Sequence, residues 1–590
     1  MSGAPLQRAI DALHAGRADQ AEATLRRVIA KEPSNTQAHQ ILAAAILLQG
    51  RPEQALHFAE RATSTSSRPN ASALDVHATC LAMLNRHADA TDVFRRAIEA
   101  DASLASAHNG LGASLLQLGE VDQAIASLEH ARTLTPANAG FASNLASAYA
   151  RGWRVADAVR TIDEAIAAGG PRVDLLTQRA SLLNYFSSAS REDILSAHRA
   201  LGDQIVRGVR PRGAALPAVP PDMLRVALIS PDFRGHSVAR FIEPLLRARD
   251  ASKLRLIAVS STSRADATTE SLRALVDEWI DIARVGDARA AELIRKARVD
   301  IAIDLAGHTH ESRVSVLAHA PAPLCGTYLG YPNTTGMPSV DFRLVDAITD
   351  PDGSDAFTTE RLARVNGCFL CYQIPPDIPP IRAREDAPNR GAMFGSFNAL
   401  NKVSPITLDL WARVLGEVRD SRLLVKAESL GVESVRSRLL DELESRGVAR
   451  DRVELHAQTA SVAEHLAMYD RVDVALDTFP YHGTTTTCEA LSMGVPVVTL
   501  TGDRHASRVG TSILSALGEH DLIASTSEEY IRKATALARD SARLASLRRT
   551  LRDRLSSSMV CDAAGFAVRF DRALREAWTH AASTRHGGTP

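Results

Sequence analysis

The sequence predicts an α-solenoid followed by two α/β units, each built on a parallel sheet. Three observations predict it. An alanine returns every 34 or 35 residues between positions 21 and 158. Apolar, strand-sized runs alternate with helical runs from residue 224 onward. Proline-rich breaks at 216–221 (LPAVPP) and 374–382 (IPPDIPPIR) divide the chain. At 590 residues the chain exceeds what one core supports, so several domains are expected.

The repeat comes first. Aligning GRADQAEATLRRVIAKEP, GRPEQALHFAERA, RHADATDVFRRAIEA, GEVDQAIASLEHARTLTP and GWRVADAVRTIDEAIAA puts Ala21, Ala55, Ala90, Ala124 and Ala158 at one position, spaced by 34, 35, 34 and 34. Pro33 and Pro136 each close a unit twelve residues past its alanine. This period, with small residues where helices cross, resembles the tetratricopeptide repeat, two antiparallel helices per unit. Such units stack into a solenoid whose concave face commonly holds extended peptide. Asn35, Asn109, Asn138 and Asn144 share no single register, so no asparagine ladder is expected on that face. The repeats are expected over 1–170 and a helical linker over 171–222, with the helical region ending near 215.

The α/β units follow. In the first, expected over 223–382, the runs are LRVALIS (224–230), LRLIAVSS (254–261), VDIAIDLAG (299–307) and CGTYLGY (325–331). In the second, expected over 383–582, they are AMFGSF (392–397), SRLLVKA (421–427), RVELHA (452–457), VDVALDTF (472–479) and VPVVTL (495–500). Unbroken apolar strands between helices argue parallel sheets covered on both faces, hence two facing Rossmann-like domains. A ligand then belongs in the cleft, at the carboxyl ends of the strands.

Composition removes some functions. Aromatic residues are 4% of the chain and the formal net charge is -1, so neither stacking platforms nor a basic field for nucleic acid is expected. Six scattered cysteines give no disulfide framework, which fits a reducing compartment. The one close pair, CFLC at 368–371, reads as buried small residues in a strand. No window offers ~18 uncharged apolar residues and the N-terminus has no apolar signal core, so a cytoplasmic protein is expected.

Four stretches carry chemistry. Residues 472–500 read as a βαβ unit with a turn at Gly483 and a short helix through CEALSM. Four threonines, 484–487, open that helix, although β-branched residues are poor helix starters. Thr486 precedes Glu489 by three, the spacing of a capping box, so Thr486 is the expected N-cap. Free amides and the dipole at that end favour an anion, and the hydroxyls of Thr484, Thr485 and Thr487 are further donors to phosphate oxygens. A capped structural helix accounts for the same pattern. In GSFNALNKVSP (395–405), Lys402 follows a strand end and suits phosphate as a point charge, although by itself the stretch reads first as a solvated loop lysine. In VALISPDFRGHSVARFIEPLL (226–246), His236 lies between a strand and an apolar helix. DLAGHTHESR (304–313) offers Asp304, His308 and His310; an H-x-H without a further ligand is a weak metal site, and such imidazoles serve equally to hydrogen-bond substrate. GYPNTTGMPSVDF (330–342) is a loop of the kind that shapes a pocket.

Together, SPDFRGHSVARFIEPLL, DLAGHT, GYPNTTGMPSVDFR, CFLCY, GSFNALNKVSP, LDTFPYHGTTTTCEALSMGVPVVT and HASRVG (505–510) resemble the O-GlcNAc transferase and SPINDLY family of protein glycosyltransferases, closest to SPINDLY. The likeness covers nearly the whole chain. It implies a two-lobed glycosyltransferase of the GT-B type after the repeats, with a donor nucleotide sugar held mainly by the C-terminal lobe. It implies that Lys402 holds the donor's distal phosphate and neutralises charge on the departing diphosphate. Thr485 and Thr486 lie over the phosphates, with Thr484 and Asn398 in the same donor-binding set. Glu489 faces the ribose and His465 lies by the base. His236 stands near sugar and acceptor as the proton acceptor, ranked above Asp304 and His308. The reaction implied inverts the anomeric carbon with no metal and no cofactor beyond the donor. The D-x-D at Asp350 and Asp352 reads as a turn. Where animal members carry a lysine against uracil, this chain has Val462, and a nearby arginine is replaced by Met468. UDP-GlcNAc and GDP-fucose both stay open as donors, with fucose favoured by the closeness of the motifs. The implied partners are protein acceptors on the solenoid, with no nucleic acid and no membrane; the repeats could equally form a homodimer surface. Two other functions are weighed: an inactive repeat scaffold, which has no need of Lys402, His236 and the threonines together, and a sugar-nucleotide epimerase, which leaves the solenoid unexplained.

Overall fold

A computed structural model describes residues 3–64, 70–211, 215–382 and 391–586. It divides into two compact units, Met1–Pro171 and Arg172–Pro590.

The first unit is helical throughout its described elements, from Gly3–His14 paired with Ala18–Lys31 to Ala139–Arg151 paired with Val155–Gly169. The repeat alanines explain the stacking. Ala21, Ala55, Ala90, Ala124 and Ala158 each sit early in the second helix of a pair and are each 0% exposed. A larger side chain there would hold neighbouring helices apart. The asparagines divide into two roles, which is why they share no single register. Asn35, Asn70 and Asn138 are N-caps, their side chains accepting from backbone N–H groups two or three residues on. Asn144 and Asn109, one repeat apart, bond to each other at 2.9 Å.

The second unit opens with helices Val173–Leu183 and Arg191–Val206. The helical region therefore ends at Val206, short of the expected 215, because Gly208 takes a positive φ and Pro211 follows. Seven strands then form one sheet: β1 (Leu224–Ser230), β2 (Leu254–Ser260), β3 (Glu278–Asp281), β4 (Ile301–Asp304), β5 (Leu324–Tyr328), β6 (Phe342–Asp346) and β7 (Arg361–Val365). Six form the other: β8 (Met393–Ser396), β9 (Arg422–Lys426), β10 (Val453–His456), β11 (Val474–Leu476), β12 (Val497–Leu500) and β13 (Ile523–Ala524). The orders are β3-β2-β1-β4-β5-β6-β7 and β10-β9-β8-β11-β12-β13, and every pairing is parallel. Both sheets thus reverse direction between their first and fourth strands, the place where such folds bind ligands.

Strands β3, β6, β7 and β13 carry no sequence signal of the kind that marks the others. Three of them are sheet edges, where a continuous apolar run is unnecessary. The fourth, β6, interrupts its run with Arg343 and Asp346, both buried and paired. The CFLC segment is buried as expected but is not a strand. Its backbone is satisfied elsewhere: Phe369 N–H donates to Asp346 Oδ2 (2.9 Å) and Tyr372 N–H to the Val560 carbonyl (2.7 Å). The expected start of the second lobe at 383 lies outside the described residues. The final helix, Ala563–His586, returns to the first sheet, where Phe566 and Phe570 pack on Tyr328. Trp578 Nε1 and Arg575 Nη1 of this helix bond to the carbonyls of Pro217 and Pro221, holding the proline-rich stretch in place. Among the described residues no helix is long and apolar enough to cross a membrane.

Candidate active site

The loops after β1, β8, β11 and β12 converge on one cleft. It is lined by His236 and Phe369 from the first lobe and by Asn398, Lys402, Tyr481, Thr484, Thr485, Thr486 and His505 from the second. Five of the expected donor-binding residues therefore meet, and two expected catalytic residues are there, His236 and, counted in both sets, Lys402.

Lys402 follows β8 in a short 3₁₀ turn, just before helix Pro405–Glu417, which is capped by Ser404 with proline at its first position. Its Nζ donates to the His482 carbonyl (2.8 Å) and lies 4.2 Å from the Tyr481 ring centroid. Tyr481 in turn stacks on Tyr185 at 5.1 Å. Burial pulls the lysine pKa down to about 8, with Asp477 partly opposing. At neutral pH it remains a cation, poorly hydrated and aimed at the cleft.

The threonine run is organised differently from its sequence spacing. The helix is Thr485–Ser492; Thr484 occupies the cap position without a side-chain bond. Thr486 is not the N-cap and forms no capping box with Glu489. Its hydroxyl donates to Asn398 Oδ1 (2.7 Å), and Thr487, buried, donates back to the Gly483 carbonyl (3.0 Å). Thr487 is therefore not among the donors facing the cleft. Gly483 permits this approach: a Cβ there would lie 2.2 Å from Thr486 Oγ1 and 2.8 Å from Asn398 Oδ1. The turn hangs on buried Asp477, whose Oδ1 accepts from Gly483 N–H (2.8 Å) and Thr478 N–H (2.9 Å) and whose Oδ2 accepts from Thr499 Oγ1 (2.8 Å).

Glu489 is drawn away from the cap by two partners. Arg240 Nη1, from the first lobe, meets its Oε1 at 3.1 Å, and His465 Nε2 meets its Oε2 at 3.0 Å. Lys426 Nζ completes the chain at 2.9 Å from His465 Nδ1. Since ammonium only donates and carboxylate only accepts, His465 carries its proton on Nε2. His465 and Glu489 do not line the cleft with Lys402; they sit beside it, Glu489 one helical turn on from Thr485.

His236 is the N-cap of helix Ser237–Ala248, its Nδ1 accepting from Val238 N–H at 3.3 Å, with Asp232 Oδ1 at 3.5 Å. Burial lowers its pKa, against the pull of Asp232. An Nδ1 that accepts leaves the proton on Nε2, so the ring presents a donor. Asp304 and His308 are not in the cleft. Asp304, fully buried at the end of β4, accepts from the amides of Ala306 (3.0 Å) and Gly307 (2.5 Å), and burial raises its pKa to about 7. Its Oδ2 has no hydrogen-bond partner among the described residues. His308 is buried on the Thr335 carbonyl (2.8 Å) beside His198 and Tyr331. Asp350 of the D-x-D is buried against His505 and Arg343. Among the described residues no three His, Cys, Asp or Glu side chains gather as metal ligands. Sequence reading missed roles for His505, Asp350, Tyr481, Asp477 and Arg240. The motifs that carry the resemblance contain His505, Tyr481, Asp477 and Arg240 without assigning them a role, Asp350 reads there as part of a turn, and partners 155 or 249 positions apart leave no spacing to read.

Two Rossmann-like lobes facing a cleft at their switch points define a GT-B fold. The chain belongs to glycosyl transferase family 41, whose profile matches residues 179–374 and 373–569, and tetratricopeptide repeat profiles match 12–78, 76–139 and 109–172. It is similar to an O-GlcNAc transferase variant from Thermobaculum terrenum, at 33% identity and a TM-score of 0.80, covering 87% of this chain and 98% of that one. It is 38% identical over 406 residues to the SPINDLY protein of Arabidopsis thaliana, named a probable UDP-N-acetylglucosamine–peptide N-acetylglucosaminyltransferase, covering 68% of this chain and 44% of that one. The SEC protein of the same plant is 26% identical, covering 60% of this chain and 37% of that one. The chain thus spans less than half the length of these curated relatives.

Proposed function

We propose that this protein is an inverting O-glycosyltransferase that moves a sugar from a nucleoside diphosphate to serine or threonine hydroxyls of polypeptides bound by its repeats. One observation carries the reading: Lys402 and the threonines Thr484 and Thr485 line the same cleft as His236 of the opposite lobe, with the Thr486 hydroxyl turned to Asn398. When the bond between sugar and diphosphate breaks, negative charge accumulates on the departing phosphate. A preplaced ammonium and hydroxyl donors stabilise that charge more than they stabilise the bound donor, which is what accelerates the step. Lys402 supplies the charge, so the transfer is proposed to run without a metal; Asp350 of the D-x-D is already committed to His505 and Arg343. Asn398 holds Thr486 in place, and His465 and Glu489 form the nucleoside end of the donor site. For the donor itself, the names of the relatives favour UDP-GlcNAc. Val462, exposed, and Met468 offer no cation to a uracil, and with the motif closeness to SPINDLY they favour GDP-fucose, the donor proposed here.

The test is transfer to a serine- and threonine-rich protein substrate, read as intact mass. GDP-fucose is expected to add the mass of one deoxyhexose residue per event, while UDP-GlcNAc gives no addition. Addition only from UDP-GlcNAc would replace the donor; addition from neither would overturn the transferase reading.

A further inference from the structure

The cleft contains a second histidine, and its surroundings differ from those of His236. His505 lies in the turn after β12, with its Nδ1 2.5 Å from Asp350 Oδ2 of the first lobe and the Phe369 ring edge-on at 5.0 Å. Burial alone would raise the Asp350 pKa, but His505 and Arg343 outweigh it and hold the carboxyl well below the usual range. Asp350 is therefore ionised and can only accept. The proton on the neutral imidazole must sit on Nδ1, which leaves Nε2 as a lone-pair acceptor on a residue that lines the cleft. His236 has the opposite tautomer, with Nδ1 engaged by the Val238 amide.

We propose that His505, held by Asp350, is the proton acceptor of the transfer, and that His236 serves as a hydrogen-bond donor to sugar or acceptor; this rests on the transferase reading above. In the step, the acceptor hydroxyl oxygen forms a bond to the anomeric carbon of the nucleotide sugar. The bond from that carbon to the diphosphate oxygen breaks, and its electron pair leaves with the nucleoside diphosphate beside Lys402. The hydroxyl proton passes to His505 Nε2, and the imidazolium formed is stabilised by ionised Asp350 until it releases the proton to solvent. A carboxylate that fixes the tautomer and orientation of an imidazole is a recurrent arrangement for this task. Besides Asp350, the charged groups around His505 are Arg343 on β6, Arg191 and Arg508, which act on the same carboxylate, and Lys402 in the cleft.

The experiment compares the wild type with His505→Gln, Asp350→Asn and His236→Gln in transfer kinetics across pH 5–9, with nucleoside diphosphate binding and melting temperature measured alongside. His505→Gln is expected to lower kcat about 10²–10⁴-fold, to remove the acidic limb of the kcat/KM profile, and to leave the Kd for GDP or UDP within about twofold. Asp350→Asn keeps the ring in place and is expected to lower kcat with the same unchanged Kd. His236→Gln is expected to keep the acidic limb. A wild type that transfers no sugar removes the transferase reading and this role with it. If the wild type transfers, the role alone falls under any of three results: His505→Gln keeps its rate and acidic limb, it loses nucleotide affinity in proportion to rate, or the limb disappears instead in His236→Gln.

Discussion

Lys402 makes two observables move in opposite directions with pH. Its folded pKa is about 8, against 10.5 for the free side chain. The cation that would hold a diphosphate is present below about 8 and lost above it, so nucleoside diphosphate affinity is expected to fall as pH rises through 8; Lys402→Met is expected to flatten that dependence and lower the transfer rate about 10²–10³-fold. Stability runs the other way. Between 8 and 10.5 the unfolded chain binds more protons, so the cost of burying the cation is greatest below 8 and disappears as pH rises through this window. Titration calorimetry and chemical denaturation at pH 7 and 10 separate the two. Asp304 gives a second residue-scale test. Its folded pKa is about 7 against an ordinary 3.8, so its buried charge costs stability above 7 and costs nothing below 3.8. Asp304→Asn keeps an oxygen for the Ala306 and Gly307 amides, and it is expected to raise the melting temperature at pH 8 but not at pH 4. Lys402 lines the cleft, but its local sequence fits a solvated loop lysine as well, and only the family resemblance pointed it at a donor. Asp304 lies outside the cleft, and a strand-end aspartate that supports a turn has the same local signature as one facing substrate.

At the scale of elements, the threonine helix depends on a buried carboxylate more than on its own cap. Removing Asp477 would orphan the Gly483 and Thr478 amides and the Thr499 hydroxyl together. Asp477→Ala is expected to cost about 3–5 kcal/mol in urea denaturation, and to weaken nucleotide binding because the same turn carries Thr484–Thr486. The spacing from Thr486 to Glu489 pointed to a capping box, and the structure spends both residues on longer-range partners, Asn398 and Arg240. Local propensity loses here because each alternative bond also satisfies a buried group on another element. Helix Arg191–Val206 illustrates a different limit. A Cβ on Gly202 would lie 2.0 Å from the Gly336 carbonyl oxygen, and one on Gly336 (φ +74) would lie 1.8 Å from that of His198. Gly202→Val is expected to destabilise by about 3 kcal/mol or more, since backbone blocks it on the far side. Nothing in the sequence around either glycine announces this contact across 134 positions.

At the scale of the whole molecule, the nucleotide is the accessible question. At about 100 times its dissociation constant, a ligand adds about 2.7 kcal/mol to stability. GDP is expected to raise the melting temperature and UDP to leave it unchanged; the reverse would return the donor to UDP-GlcNAc. Removal of residues 1–171, which form a compact unit of their own, is expected to preserve nucleotide binding while abolishing transfer to protein acceptors. Loss of both would show that the repeats contribute to the fold of the remainder.

By itself the sequence determined the architecture. Periodicity is local: alanines 34 or 35 residues apart and apolar strands between helices report which faces must be buried, whatever they are buried against. It also singled out segments that the fold brings to one cleft, since lysine, histidine and clustered threonines after strand ends are unusual in place. Tertiary structure alone decided which of those residues meet and in what protonation state. The His505 tautomer depends on Asp350 in the other lobe, Glu489 is turned from its helix end by Arg240 across the cleft, and Lys402 titrates near 8 because the assembled site keeps water from it. Hydrogen bonds and desolvation of this kind depend on distances between elements that chain spacing does not encode.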